Sequence, residues 1–273
     1  DEICEKFGLE KIDHTTLPEP THLHRRGIIF AHRDLDSILN ARKAGKPFGV
    51  LSGLMPSGQM HLGHKMVIDQ ARWFQDLGGD VTIAVADLEA HATRGLSLEK
   101  CRKYAVEEYI SNYAGMGLNP DKTSIYFQSE RAIVQKMGFT LGTKTNLSEM
   151  EAIYGFKGKT SLAHVQSPLV QAGDIVHPQL EEYGGLRPIV VPVGMDQDPH
   201  IRLTRGMVSK TNWFNVNKNK LGNLTIGFSI QDNNQDIMGM RSDGGIDKTQ
   251  RKMVIDKAIS AISKAGYNQI NSN

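Results

Sequence analysis

Two histidines in a glycine-containing loop are the residues with the clearest chemical use. Residues 56–64 read PSGQMHLGH, which places His61 and His64 three positions apart at the start of a predicted helix. Side chains at this spacing share a helix face, so both imidazoles could donate hydrogen bonds to one phosphate. The N–H groups and dipole of a helix N-terminus favour the same anion. The pattern predicts a phosphate-binding loop in which His61 and His64 both contact the anion.

Taken alone, the spacing of the two histidines has two alternatives to phosphate binding: ordinary surface residues and zinc ligands. The histidines could be ordinary surface residues near a helix cap. A zinc site would need a third ligand at a suitable spacing, and the neighbouring sequence offers none. The sequence therefore predicts no metal ligated by the protein.

A second chemical candidate lies far along the chain, where residues 191–205 read VPVGMDQDPHIRLTR. Gly194 would let a ribose approach the backbone, and Asp196 can accept hydrogen bonds from ribose hydroxyls, as acidic residues do in dinucleotide-binding folds. Gly63 likewise leaves room for a planar base. The alternative is a turn with solvated aspartates.

The elements that position both segments follow from the pattern of apolar residues. The predicted strands are residues 48–51, 81–86, 124–127 and 189–193. Helices are predicted at 34–43, capped by Asp34 or Asp36, from about His61 to 77, and after Ser97. Such alternation implies an α/β fold, a Rossmann-like parallel sheet with helices on both faces. Ligands bind at the carboxyl ends of such strands, here after residues 51, 86 and 193.

Composition limits the class of protein. The chain has 273 residues, 39% hydrophobic and 23% charged, and a formal net charge of +2, which excludes disordered and strongly basic chains. Cys4 and Cys101 are too few for a disulfide framework, and no apolar run approaches the roughly 20 residues of a membrane span. We expect a globular, intracellular protein without a membrane segment.

The two motifs together resemble a known family. Residues 56–64 resemble the HIGH signature of class I aminoacyl-tRNA synthetases, and residues 191–205 are similar to the archaeal and eukaryotic type of the tryptophan branch. Further matching stretches are residues 25–34 (RRGIIFAHRD), 86–91 (ADLEAH) and 167–175 (SPLVQAGDI). The resemblance covers roughly residues 17–206.

The resemblance implies an organisation and an activity. It implies an N-terminal extension at 1–46 and a class I catalytic domain at 47–206, with a connecting and dimer segment at about 90–165. A divergent, mostly helical C-terminal region at 207–273 would follow. The implied activity is tryptophan–tRNA ligation in the cytoplasm, with ATP, L-tryptophan and tRNA(Trp) as substrates, Mg²⁺ as a cofactor and a homodimer as the assembly.

The resemblance also implies roles for individual residues, and it assigns the catalytic role to His61 and His64. Those implied for ATP are Gly53, Ser57, Gly58, Gly63, Gly194 and Asp196, and those implied for the amino acid are Glu89, Gln171, Asp174 and Gln197. Leu51 stands where tyrosine-specific relatives carry a substrate-contacting tyrosine, which favours tryptophan.

One family feature is missing from the sequence. The mobile Lys-Met-Ser-Lys-Ser signature is not found, and residues 239–243 (GMRSD) offer only Arg241 as a substitute cation. The family's helical anticodon-binding domain is not recognisable either. A non-charging paralogue that binds tryptophan and ATP, a tyrosine-specific synthetase and a small-molecule nucleotidylyl transferase therefore remain as alternatives.

Overall fold

The computed structural model describes residues 2–211, 214–218 and 224–228. The chain divides into two compact units, Asp1–Lys210 and Thr211–Asn273. Arg241 and the predicted substitute loop lie outside the described residues, as does the helix-like stretch at 247–264.

A four-stranded parallel sheet is the centre of the first unit. Its strands are β3 (Gly49–Leu54), β4 (Asp80–Val85), β5 (Thr123–Phe127) and β6 (Ile189–Val190), in the spatial order β5-β4-β3-β6. Two further strands, β1 (Glu10–Lys11) and β2 (Ala31–His32), form a separate antiparallel pair. The predicted strand at 189–193 ends early, at Val190, because Pro192 has no N–H to donate to a neighbouring strand.

Eleven α-helices are described in the first unit. They are α1 (Glu2–Phe7), α2 (His22–Arg25), α3 (Leu35–Lys43), α4 (Leu62–Asp76), α5 (Asp87–Arg94), α6 (Leu98–Tyr104), α7 (Ser111–Gly115), α8 (Ala132–Gly142), α9 (Leu147–Tyr154), α10 (Leu162–Val176) and α11 (Asp198–Ser209). A π-helix at Ala105–Ile110 joins α6 to α7. Ser97 caps α6 as predicted, since its hydroxyl accepts the Lys100 N–H.

The predicted cap of α3 is wrong in its chemistry. Asp34 occupies the N-cap position, but its φ of 57° is left-handed and its side chain makes no capping hydrogen bond. The carboxylate pairs instead with Arg205 on α11. The charge therefore connects two helices rather than closing one.

Helices cover both faces of the sheet, as the alternation predicts. On β4, Ile83 and Val85 belong to a core with Trp73 and Phe74 of α4. Ala84, between them, packs with Val134 of α8 and Val170 of α10 on the opposite face. Alternate side chains of a strand point to opposite faces, so both sides of β4 are buried.

The second unit is described only at two strands. β7 (Phe214–Lys218) pairs antiparallel with β8 (Leu224–Phe228), and Phe214 lies opposite Phe228. These two strands are part of the C-terminal region expected to be mostly helical, and most of that region (residues 207–273) lies outside the described residues. Within the described residues, no helix is long and apolar enough to span a bilayer.

Candidate active site

The two motifs predicted to bind nucleotide lie on either side of the point where the strand order reverses. β3 pairs in parallel with β4 on one side and with β6 on the other. The histidine loop follows β3, and the Gly194–Gln197 turn follows β6. A crevice at such a point, outside the carboxyl ends of the strands, is where parallel α/β sheets bind ligands.

The two histidines lie side by side, although not on one helix face. His61 is the N-cap of α4 and lies before its first turn, so the predicted shared face is wrong. His61 Nδ1 accepts the Gly63 N–H at 3.2 Å, and His64 Nδ1 accepts the His61 N–H at 3.3 Å. The ring centroids are 3.9 Å apart. This reciprocal capping box brings the imidazoles together.

The capping bonds set the protonation of both rings. A neutral imidazole has one donor and one acceptor nitrogen, so an Nδ1 that accepts a backbone N–H leaves the proton on Nε2. Burial, and to a lesser degree the neighbouring His61, lowers the pKa of His64, which keeps that ring neutral near pH 7. The two Nε2–H groups are therefore available as donors to an anion at the start of α4.

The glycine between the histidines allows their close packing. A Cβ on Gly63 would lie 3.0 Å from the His61 ring. The sequence predicted a glycine here to leave room for a base. The close contact with the His61 ring is a second, local reason for a glycine at position 63. Gly53 lies in β3, and Ser57 and Gly58 lie in the loop that leads to His61.

The turn after β6 presents Asp196 to solvent. Met195–Gln197 is a short 3₁₀ turn, and the Gln197 amide donates to Asp196 Oδ2 at 2.8 Å. A Cβ on Gly194 would lie 2.5 Å from the Asp196 carboxylate, so a larger residue would displace it.

The next residue anchors this turn to the N-terminal segment. Asp198 is buried and accepts two hydrogen bonds from Arg33, at 2.9 and 3.2 Å. The same guanidinium donates to the backbone carbonyls of Phe7 and Gly8. Nε of Arg202 lies 3.1 Å from Oδ2 of the same carboxylate.

A cavity of about 260 Å³ lies beside the turn. Four of the predicted site residues line it: Glu89, Gln171, Asp196 and Gln197. Burial raises the pKa of Glu89, and Arg94 opposes that shift. The cavity thus combines two carboxyl groups, of Glu89 and Asp196, with two amides, of Gln171 and Gln197.

Asp174 does not line this cavity. It is 3% exposed, and its two oxygens accept hydrogen bonds from the Tyr126 hydroxyl and the Gln128 amide, each at 2.5 Å. Burial raises the pKa of Asp174 to about 7, although both hydrogen bonds favour the ionised form. In this structure Asp174 belongs to a buried polar network rather than to the cavity surface.

Aromatic residues in the cavity wall were missed in the sequence. Tyr154, Phe156, His164 and His200 line it together with Ile153, Ser167, Pro168 and Pro199. Of these aromatic residues, only His200 lies in a segment predicted to bind nucleotide, residues 191–205. Tyr154 and Phe156 flank Gly155, which ends α9, and this pattern carries no functional signal. Among the described residues, no group of three His, Cys, Asp or Glu side chains is placed to hold a metal ion.

The fold and the two motifs at the strand reversal define the Rossmann-like catalytic domain of a class I aminoacyl-tRNA synthetase. The model of the family described as tRNA synthetases class I (W and Y) matches residues 43–245. The chain belongs to this family.

Individual relatives agree with this assignment. A tryptophan–tRNA ligase of Methanosarcina acetivorans is 50% identical over 216 residues, 78% of this chain and 49% of the relative. One from Methanocaldococcus jannaschii is 47% identical over 77% of this chain and 58% of the relative. A solved tryptophanyl-tRNA synthetase of Aeropyrum pernix has a TM-score of 0.72 at 44% identity, over 77% of this chain and 58% of the other. The chain spans about half the length of the curated relatives it matches.

Proposed function

We propose that this chain activates L-tryptophan with ATP, forming tryptophanyl-adenylate, and transfers it to tRNA(Trp). The observation that carries the proposal is the cavity at the carboxyl ends of the strands, where Glu89, Gln171 and Gln197 lie together with aromatic walls. The names of the relatives, all tryptophan–tRNA ligases, support the same substrate.

The chemistry of the cavity favours a large aromatic amino acid. Glu89 can pair with the substrate's ammonium group, and the amides of Gln171 and Gln197 can bind its carboxylate or indole N–H. The Tyr154 and Phe156 rings supply apolar area for a planar side chain. Leu51 is buried in β3 and offers no hydrogen bond to a phenol. These features favour tryptophan over tyrosine.

The histidine loop provides the charge stabilisation for adenylation. The tryptophan carboxylate attacks the α-phosphorus of ATP in line, the new O–P bond forms, and the bond to pyrophosphate breaks. The Nε2–H donors of His61 and His64 stabilise the charge that develops on the phosphate oxygens, while Asp196 binds the ribose. Gly53, Ser57, Gly58, Gly63 and Gly194 let the nucleotide approach the backbone. No covalent enzyme intermediate is needed, since positioning and electrostatics lower the barrier.

The remaining partners follow from this reaction. Mg²⁺ would accompany ATP and neutralise part of the phosphate charge, since this ion is commonly held largely by substrate phosphates rather than by a dedicated protein cage. We infer a cytoplasmic homodimer that uses residues 90–165 as its interface, with the divisions at 1–46, 47–206 and 207–273 expected from the sequence. We propose that Arg241, in the divergent C-terminal region, serves as the cation that the lysine signature supplies in the family.

Amino-acid-dependent exchange of pyrophosphate into ATP tests the proposal. We expect exchange with tryptophan well above that with the other nineteen amino acids, followed by charging of total tRNA. Exchange without charging would make the chain a tryptophan-activating paralogue. Exchange with tyrosine instead would overturn the assigned substrate, and no exchange with any amino acid would overturn the activity.

A further inference from the structure

One wall of the cavity is joined to a neighbouring helix by a hydrogen bond between two aromatic side chains. The Tyr154 ring, at the end of α9, stacks on Phe156 with centroids 5.3 Å apart and planes 20° apart. The Tyr154 hydroxyl lies 2.5 Å from Nδ1 of His200 on α11. All three side chains line the cavity. This hydrogen bond therefore connects the stacked rings to α11, the helix that follows the Asp196–Gln197 turn.

The chemistry of the pair assigns its donor and its acceptor. His200 is 3% exposed, and burial lowers its pKa to about 4, so the ring is neutral at pH 7. Burial and the nearby Glu89 raise the pKa of the Tyr154 hydroxyl, which therefore keeps its proton. The hydroxyl donates and Nδ1 accepts, which leaves the imidazole proton on Nε2.

The other nitrogen of His200 shows that the ring is held chiefly through Nδ1. Within the described part of the chain, Nε2 is buried and has no hydrogen-bond partner. Leaving a buried donor unpaired is unfavourable, and such groups are uncommon in folded proteins. A leucine or phenylalanine at this position would avoid that loss but could not accept the Tyr154 hydrogen bond. The imidazole is thus suited to fixing Tyr154.

We propose that His200 is a positioning residue that holds the stacked Tyr154–Phe156 wall at the spacing required by the substrate's aromatic ring. Tyr154 contacts the ring, and His200 acts through Tyr154. The inference rests on the proposed activation of tryptophan. His200 therefore affects the binding of the amino acid, even though it lies in residues 191–205, the segment predicted to bind nucleotide.

Two amide substitutions separate the two nitrogens of His200. The amide atoms of asparagine are bonded to Cγ, as Nδ1 is, while those of glutamine lie one atom further out, near the place of Nε2. His200→Asn therefore keeps an acceptor for Tyr154, and His200→Gln does not. Tyr154→Phe removes the hydroxyl and keeps the ring. Tyr183→Phe is the matched control, because that ring packs on His177 and does not line the cavity.

Steady-state pyrophosphate exchange by the full chain is the measurement. Tyr154→Phe and His200→Gln should each raise the KM for tryptophan about tenfold, the ratio expected for one lost hydrogen bond. The KM for ATP should stay within about twofold, and His200→Asn should recover most of the tryptophan affinity. Thermal unfolding of each variant separates this effect from a general loss of folding. If His200→Gln does not fold, Tyr154→Phe and His200→Asn still decide the question.

Three results would overturn the inference. The first is an unchanged KM for tryptophan in Tyr154→Phe. The second is retention of affinity by His200→Gln and its loss in His200→Asn, which would assign the role to Nε2. The third is a rise in the KM for tryptophan in Tyr183→Phe equal to that in Tyr154→Phe. If the wild-type chain binds tryptophan by calorimetry without any exchange, the proposed function fails and the same variants test the pair through the tryptophan Kd. If it binds no tryptophan, both proposals fall.

Discussion

The His64 imidazole combines two roles that substitutions can separate. Its Nδ1 accepts the His61 N–H. Its Nε2–H is the donor that we propose for the anion at the start of α4. We expect His64→Ala to lower the adenylation rate by about 10²–10³-fold with little change in tryptophan affinity, because the donor acts on charge that develops during the reaction. Single-turnover adenylate formation and calorimetry measure the two quantities.

The capping role of His64 has its own control. His64→Asn keeps an acceptor for the His61 N–H but lacks the Nε2–H. It should be as slow as His64→Ala while keeping the Tm of the wild-type chain. A fast His64→Asn would assign the rate loss to the broken cap. An exposed histidine outside the site, His22, serves as the neutral comparison when changed to alanine.

Asp174 should give the stability of the protein a characteristic dependence on pH. Its pKa is raised to about 7 from an ordinary value of 3.8, so the folded state binds its proton more tightly than the unfolded state does. That stabilisation is full below pH 4 and is lost as the pH rises to about 7. In Asp174→Asn the amide can accept from Gln128 and donate to the Tyr126 oxygen. The Tm of Asp174→Asn minus that of the wild type should therefore increase from pH 5 to pH 8.

Other buried groups act in the opposite direction but cancel in this comparison. The pKa values of His177 and His200 are lowered to about 4, so their contribution is lost as the pH falls from 6.5 toward 4. Both histidines are present in the wild type and in Asp174→Asn. Parallel Tm curves for the two proteins across pH 5–8 would contradict the raised pKa of Asp174.

At the scale of elements, two glycines let α8 and α10 approach closely. A Cβ on Gly138 of α8 would lie 2.6 Å from the Leu169 carbonyl oxygen of α10, and one on Gly173 would meet the Val134 carbonyl oxygen. Backbone atoms cannot rotate away as side chains can. Gly138→Ala should therefore force the helices apart and reduce the free energy of unfolding by about 1–3 kcal/mol. Because Gln171 lies on α10, moving that helix should also raise the KM for tryptophan in Gly138→Ala.

Urea unfolding of a matched pair checks this prediction. Gly115 is also helical, in α7, and a Cβ there meets no atom within 4 Å. Gly115→Ala should leave stability unchanged or raise it by about 0.5–1 kcal/mol, since alanine is the better helix former. Equal behaviour of the two alanine variants would show that the close approach of α8 and α10 is not needed.

The elements that the sequence predicts well are those specified by local residues. β4 is a continuous apolar run ended by glycines and by Asp87, and its predicted and observed bounds differ by one residue at each end. Contacts between residues far apart in the sequence have no comparable local sequence pattern. Asp174 meets Tyr126 and Gln128 across 48 and 46 positions, and Tyr154 meets His200 across 46. The motifs therefore predicted residues that line the cavity, whereas the aromatic wall of the cavity and the separate network around Asp174 depend on packing between distant residues.

At the scale of the whole molecule, the question is which step needs the C-terminal region. The cavity and both nucleotide motifs belong to the unit Asp1–Lys210. Tryptophan binding should then be independent of Arg241, while turnover depends on it if Arg241 stabilises the departing pyrophosphate. Losing one such cation costs about 3–4 kcal/mol, or roughly 10²–10³-fold in rate.

In the full chain, Arg241→Ala should slow exchange by that factor and leave the tryptophan Kd from calorimetry unchanged. Arg251→Ala, ten residues further on, is the control for a general loss of positive charge. Unchanged exchange in Arg241→Ala would remove Arg241 from the mechanism, and an equal loss in both variants would indicate a diffuse electrostatic effect instead.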